Sequence, residues 1–146
     1  MISQPDPEAG LANRLFWSRH ANPGSVWTFV GAYLLLVASI YRRSRPLLVG
    51  TLLFVAVNPL LFSPPKTDDA WATRVVLGER VWLERGLVSS SHTRFTLACA
   101  PVYLFTLRSA ANRRPLRTGV GTVASLALML LFFDRMARLY EDERSV

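Results

Sequence analysis

Residues 58–86 read NPLLFSPPKTDDAWATRVVLGERVWLERG, and this stretch interrupts an otherwise apolar chain with acids, bases, three prolines and two tryptophans. Around it lie four apolar blocks, 26–41, 46–62, 95–107 and 118–133, none of which contains Lys, Arg, Asp or Glu. The pattern predicts an all-α integral membrane protein: four transmembrane helices arranged as two hairpins, plus short interfacial helices. The blocks hold 13 to 17 residues, whereas crossing a hydrocarbon core takes roughly 20. Flanking Trp, Tyr and Arg side chains can reach the headgroup layer and make up the difference. The spans are therefore expected at about 25–41, 46–62, 93–111 and 116–133. The alternative is a soluble bundle of buried helices, but the second and fourth blocks show no polar face.

The charge distribution gives a topology. Of the formal net charge of +7, Arg42, Arg43 and Arg45 supply +3 in one turn, and Arg108, Arg113, Arg114 and Arg117 supply +4 in another. Basic residues in short loops mark the cytoplasmic side, so turns 42–45 and 108–117 are expected inside, with both termini and the central loop outside a multi-pass cell-membrane protein. Anionic lipid headgroups at the turns account for the basic excess without nucleic acid. The lone cysteine, Cys99, rules out an intrachain disulfide and a Cys-x-x-Cys motif.

In chain order, residues 1–10 read as a disordered tail, 11–140 as one helical membrane domain and 141–146 as a polar tail. Residues 11–20 suit a short interfacial helix, with Trp17 and Trp27 as headgroup anchors and Ser25 placed to cap the first span. No cleavable leader is expected, because the first apolar run ends in Tyr41-Arg42-Arg43. Asn58-Pro59 should kink or end the second span, and the Asn58 amide can satisfy freed backbone groups or contact a ligand. Thr67, Asp68 and Asp69 look like the start of an amphipathic helix over 68–86. On it Trp71, Val75, Gly78 and Trp82 share a face, and Glu79 falls inside that apolar arc. A carboxylate there must be paired, protonated or facing a cavity. Arg45-Pro46-Leu47-x-x-Gly50 returns as Arg114-Pro115-Leu116-x-x-Gly119, a faint echo compatible with two related hairpins.

The polar residues expected at the outer face include the candidate cluster Arg19, His20, Asn22, Asn58, Asp69, Arg74, Glu79 and Arg80. His20 and His92 are too far apart in sequence for a His-Glu-x-x-His helix, so neither a metal site nor a cofactor is expected. Three functional classes stay open. In the first, Glu79 pairs with Arg14 or Arg19 and the chain is a structural or interaction protein of the membrane. In the second, Arg19, Arg74 and Arg80 clamp a lipid phosphate headgroup while His20 or Glu79 acts as acid or base. In the third it is a small transporter or channel, although no span carries a carboxylate. The expected partners are the bilayer and its headgroups, with homo-oligomerisation open.

Three strings carry a resemblance: Phe16-Trp17-x-Arg19-His20-x-Asn22-Pro23-x-Ser25-x-Trp27-Thr28, Asn58-Pro59-x-x-Phe62-x-Pro64-Pro65 and Ala70-Trp71-x-x-Arg74-x-x-Leu77-Gly78-Glu79-Arg80. Over about residues 14–133 the chain resembles an uncharacterised family of small multi-span membrane proteins, a domain of unknown function found in haloarchaea and some bacteria. The resemblance implies a helical membrane fold and no established activity. Gly24 stands where that pattern has an aromatic residue.

Overall fold

The computed structural model describes residues 7–87 and 90–145, and all regular structure among them is helical. Six α-helices follow in order: α1 (Pro7–His20), α2 (Pro23–Arg42), α3 (Arg45–Val57), α4 (Trp71–Arg85), α5 (Ser91–Ala111) and α6 (Pro115–Arg144), with a 3-10 turn at Asn58–Leu60. Of the expected disordered tail, residues 1–6 lie outside the described residues, and the rest form the first turn of α1.

Local chemistry sets most boundaries. α2 begins at Pro23, and its cap is Asn22, whose Oδ1 accepts from the Gly24 N–H at 2.8 Å. Ser25, expected in that role, lies inside the helix and fully buried. α3 opens on the Ser44 cap and Pro46, then stops where Pro59 lacks an N–H, passing into the 3-10 turn. α4 begins at Trp71 without a side-chain cap. The expected Thr67 and Asp68 start fails because Asp68 has better partners: it accepts from the Tyr140 hydroxyl and from Arg144, both at 2.8 Å.

The helices form two hairpins, α2 with α3 and α5 with α6, joined through α2 against α5. α4 makes its most extensive contact with α6, crossing its C-terminal half where Gly78 meets the Met136 backbone so closely that no Cβ could be accommodated. The core there comprises Ala21, Val26, Ala72, Val75, Val76, Phe133, Met136 and Ala137, with Trp17, Trp71 and Trp82 packed on its edge. The apolar arc predicted for α4 is the face that is buried.

Elsewhere the bundle is inverted relative to a water-soluble one. Ser39, Thr51, Thr106, Ser109 and Ser125 are buried between helices, whereas Leu52, Leu53, Leu97, Leu104, Leu116, Val120, Val123 and Leu131 are more than half exposed. The hydroxyls are satisfied locally or across the interface: Thr51 to Leu47 O at 2.8 Å, Thr106 to Val102 O at 2.8 Å, and Thr106 with Ser125 at 3.1 Å. Gly121 packs directly on Thr106, which brings α5 and α6 close. Among the described residues two helices, α2 and α6, are long and apolar enough to cross a membrane, and α3 is shorter.

The two basic turns are alike in backbone, at a spacing one position longer than the 69 of the sequence echo. Arg43 and Arg113, 70 positions apart, both take left-handed backbone, with φ of 55° and 52°. Each is followed by an N–H that bonds at 3.0 Å to the carbonyl of a buried serine, Ser39 in one turn and Ser109 in the other. The side chains then cross over: Arg43 Nη2 donates to Ala111 O at 3.4 Å, and Arg113 Nε donates to Tyr41 O at 3.2 Å. Each arginine thus closes the C-terminal end of the other hairpin's first helix, where carbonyls are unpaired and the dipole is negative. Tyr33 and Tyr103, at the same spacing, meet edge to face at 5.8 Å.

Candidate functional site

At the opposite end of the bundle from the basic turns, the three strings singled out in the sequence come together. The 58–70 segment passes beneath α1 and is held by it: Arg19 Nη1 donates to Leu60 O at 3.2 Å, and Asn22 Nδ2 donates to Ser63 O at 2.8 Å. Gly24 is flat against the Phe62 ring, and a Cβ there would fall 2.7 Å from it. The residue that departs from the expected pattern is therefore the one that admits Phe62. Trp27 stacks on Trp71 at 5.9 Å, and Trp71 meets Phe133 edge-on at 6.2 Å, linking α2, α4 and α6.

Beneath this cover runs a chain of hydrogen bonds whose direction can be worked out. Thr28 Oγ1 lies 2.7 Å from Gly24 O. A carbonyl only accepts, so Thr28 donates there and its oxygen accepts from Asn58 Nδ2, 2.7 Å away. Asn58 then turns Oδ1 toward Ser25, which donates to it at 2.6 Å. The single Ser25 proton is spent, so at 3.0 Å it accepts from His20 Nδ1–H. Neutral His20 is fixed in the Nδ1–H tautomer, and Nε2 keeps its lone pair. Burial lowers the His20 pKa from its ordinary value, which favours the neutral ring. Asn58, fully buried, is the hub of this chain; its amide binds side chains rather than the backbone groups released by Pro59.

His20 also lines a cavity of about 210 Å³ with Val26, Phe29, Val75, Val76, Glu79, Met129 and Phe133. Phe29 approaches the imidazole edge-on at 6.1 Å, and Phe16 lies 5.6 Å from it on the other side. Glu79 is the one carboxylate on the wall. Among the described residues it forms no ion pair, so the expected pairing with Arg14 or Arg19 does not occur. Arg19 is turned to the Leu60 carbonyl instead. Burial among apolar neighbours pushes the Glu79 carboxyl up to about 7.

The remaining candidates lie apart from this cavity. Arg74 is 2.7 Å from Glu141, and Arg80 is 2.8 Å from Glu84 one turn along α4. Asp69 is exposed in the loop before α4. Arg85 pairs with Glu143, so Glu141 and Glu143 of the α6 tail hold α4 at its edge, while Arg144 pairs with Asp68 in the loop before α4. The three arginines required to clamp a phosphate thus do not converge, each being committed to a different partner. Among the described residues no cluster of His, Cys, Asp and Glu suits a metal ion.

The arrangement places His20 and Glu79 on one cavity wall, joins Asn58 to His20 through Ser25, and leaves Asn22 and Arg19 as braces. Sequence reasoning did not single out Ser25 and Thr28 as parts of a relay, although both stand in the first string and one helical turn apart. Met129 and Phe133 carried no signal at all, since they read as ordinary apolar residues of the last block.

The model of DUF6653, a family of unknown function, matches residues 9–145, and the chain belongs to that family. No curated protein and no solved structure matches it.

Proposed function

We propose that this member of the family is a four-span integral membrane protein whose α1, 58–70 segment and α4 form an outer-face cap, and that it serves a structural or interaction role at the membrane. The observation that carries this reading is the inversion of the bundle, with hydroxyls and glycine between helices and large aliphatic side chains outside. In water that distribution would expose an apolar surface far larger than a monomer tolerates, whereas in lipid it costs nothing and lets small residues bring helices close. α3 is the shortest span, rising about 20 Å over its length. Exposed Leu60 and Leu61, at the end of the 3-10 turn, extend its apolar surface, and Arg45 can snorkel at the other end. The basic turns then face the cytoplasm and anionic headgroups.

The test is topological. Single cysteines replacing Arg45, Arg117 or Asp69 in a Cys99→Ser background would be probed with an impermeant maleimide on intact cells. Asp69→Cys should react at once, and the two turn positions only after permeabilisation. Recovery of the chain from the soluble fraction would end the proposal, and labelling of the turns in intact cells would reverse the orientation.

A further inference from the structure

The walls of the His20–Glu79 cavity specify a ligand chemistry. Six of its eight lining residues are apolar, and two of these, Phe29 and Phe133, are aromatic. The two polar residues present acceptors: Glu79 an unpaired carboxylate, and His20 the lone pair of Nε2, since its only ring proton is committed to Ser25. Among the described residues no lysine or arginine lines the space. With Glu79 ionised, as it is at about pH 8.5, an anion would therefore meet only like charge and lone pairs, and a neutral acceptor would leave both groups unsatisfied. A donor cation suits every wall: charge-assisted bonding to Glu79, donation to His20, and aromatic faces for the positive charge. The volume of about 210 Å³ falls below the roughly 300 Å³ at which drug-sized sites begin, so the guest is small.

We propose that the cavity between α1, α2, α4 and α6 binds a small apolar molecule bearing one ammonium group, with the Glu79 carboxylate as its counter-ion and His20 Nε2 as a second acceptor. The site is built on the cavity alone and does not depend on the number of membrane spans. The cap supplies its preorganisation. The chain from Gly24 O through Thr28, Asn58 and Ser25 holds the imidazole in one tautomer, and the close seat of Gly78 on Met136 fixes the α4 face that carries Glu79.

The experiment compares three probes with one six-carbon body, hexylammonium, hexanol and hexanoate, by calorimetry on the full chain in neutral detergent, with protein-free micelles subtracted. Hexylammonium should bind about tenfold or more tighter than hexanol at about pH 8.5, the usual worth of one charge-assisted bond, and hexanoate should not bind. The titratable groups on the wall are Glu79 from α4 and His20 from α1, while α2 and α6 contribute only apolar side chains. Lowering the pH to about 5.5 should therefore weaken hexylammonium as Glu79 takes up its proton, and leave hexanol unchanged. Glu79→Gln, nearly the same shape, should reduce hexylammonium to the level of hexanol. Equal binding of hexylammonium and hexanol by the unmodified chain, preference for hexanoate, absence of any binding, or a Glu79→Gln protein that keeps the preference would each overturn the proposal.

Discussion

The two ends of the bundle solve the same problem differently. At the basic turns, the hairpins meet as near copies, with Arg43 and Arg113 in the same left-handed conformation and each side chain closing the other hairpin's helix end. At the far end the likeness stops. α3 breaks off at Pro59, whereas α6 runs on through Arg144, and the space beside that extension is filled by α1 and α4. The symmetric end uses an exposed bond made twice, and the asymmetric end joins a buried one, Ser25 to Asn58, to exposed ones from Arg19 and Asn22. The cavity lined by His20 and Glu79 lies where the symmetry is broken, whereas the hollow beside the basic turns is lined by Ser39, Arg43, Ser44 and Arg45.

Substitutions at the two ends should differ in consequence. The largest effect is expected from Gly78→Val, since the new atoms would occupy the place of the Met136 carbonyl and α4 could not lie on α6. A loss of about 3 kcal/mol or more, or failure to fold, should be seen by thermal unfolding in detergent. A near-neutral result would show that α4 is not seated as described.

Glu79 should act in the other direction. Its folded-state pKa, about 7, lies above the ordinary 4.5. Stability is therefore full below about 4.5 and declines as pH rises toward and through 7, by about 3 kcal/mol at most. Glu79→Gln should flatten that decline, raising Tm at pH 8 relative to the parent while changing little at pH 4.5. An unchanged pH profile would mean the carboxyl is solvated.

Asn58→Ala strands the Ser25 hydroxyl, the Thr28 oxygen and the His20 tautomer at one stroke. It should cost about 2 kcal/mol and change the chemical shift or pH titration of His20, which a cavity alone would not do. At the symmetric end, Arg43→Ala and Arg113→Ala should each cost about 1 kcal/mol or less, because these are exposed bonds to carbonyls that water can replace. Equal small losses would sharpen the comparison, and a large loss at one turn would break the symmetry.

The smallest effect belongs to Asp68. Hydrogen bonding from Tyr140, with Arg144 beside it, holds its carboxyl below the ordinary value. The stabilisation is present at neutral pH and is lost as pH falls through the lowered folded-state value. Tyr140→Phe should lower stability slightly at neutral pH and remove that part of the acid dependence, read by unfolding between pH 3 and pH 7.

Much of this fold was legible in the sequence for local reasons. Uncharged apolar runs, prolines at helix starts and the 3.6-residue spacing of Trp71, Val75, Gly78 and Trp82 act within a few residues of themselves. The three strings marked the right end of the molecule, and Glu79 stood out because a carboxylate in an apolar arc is costly wherever it goes. Caps were less legible: Asn22 displaced Ser25, and Asp68 left the start of α4 for Tyr140 and Arg144, more than 70 positions away.

The sequence by itself determined that the chain is helical, that its basic charge gathers in two turns, and that Glu79 would need an answer. It could not determine which answer. Ion pairing and exposure to a cavity differ by where a partner 60 positions away comes to rest, and only the packing of α1, α2 and α6 around α4 decided that the arginines go elsewhere and leave Glu79 opposite a histidine. The physical reason is that propensity and periodicity are summed over neighbours in sequence, whereas charge pairing and cavity shape depend on distances that only the folded chain defines.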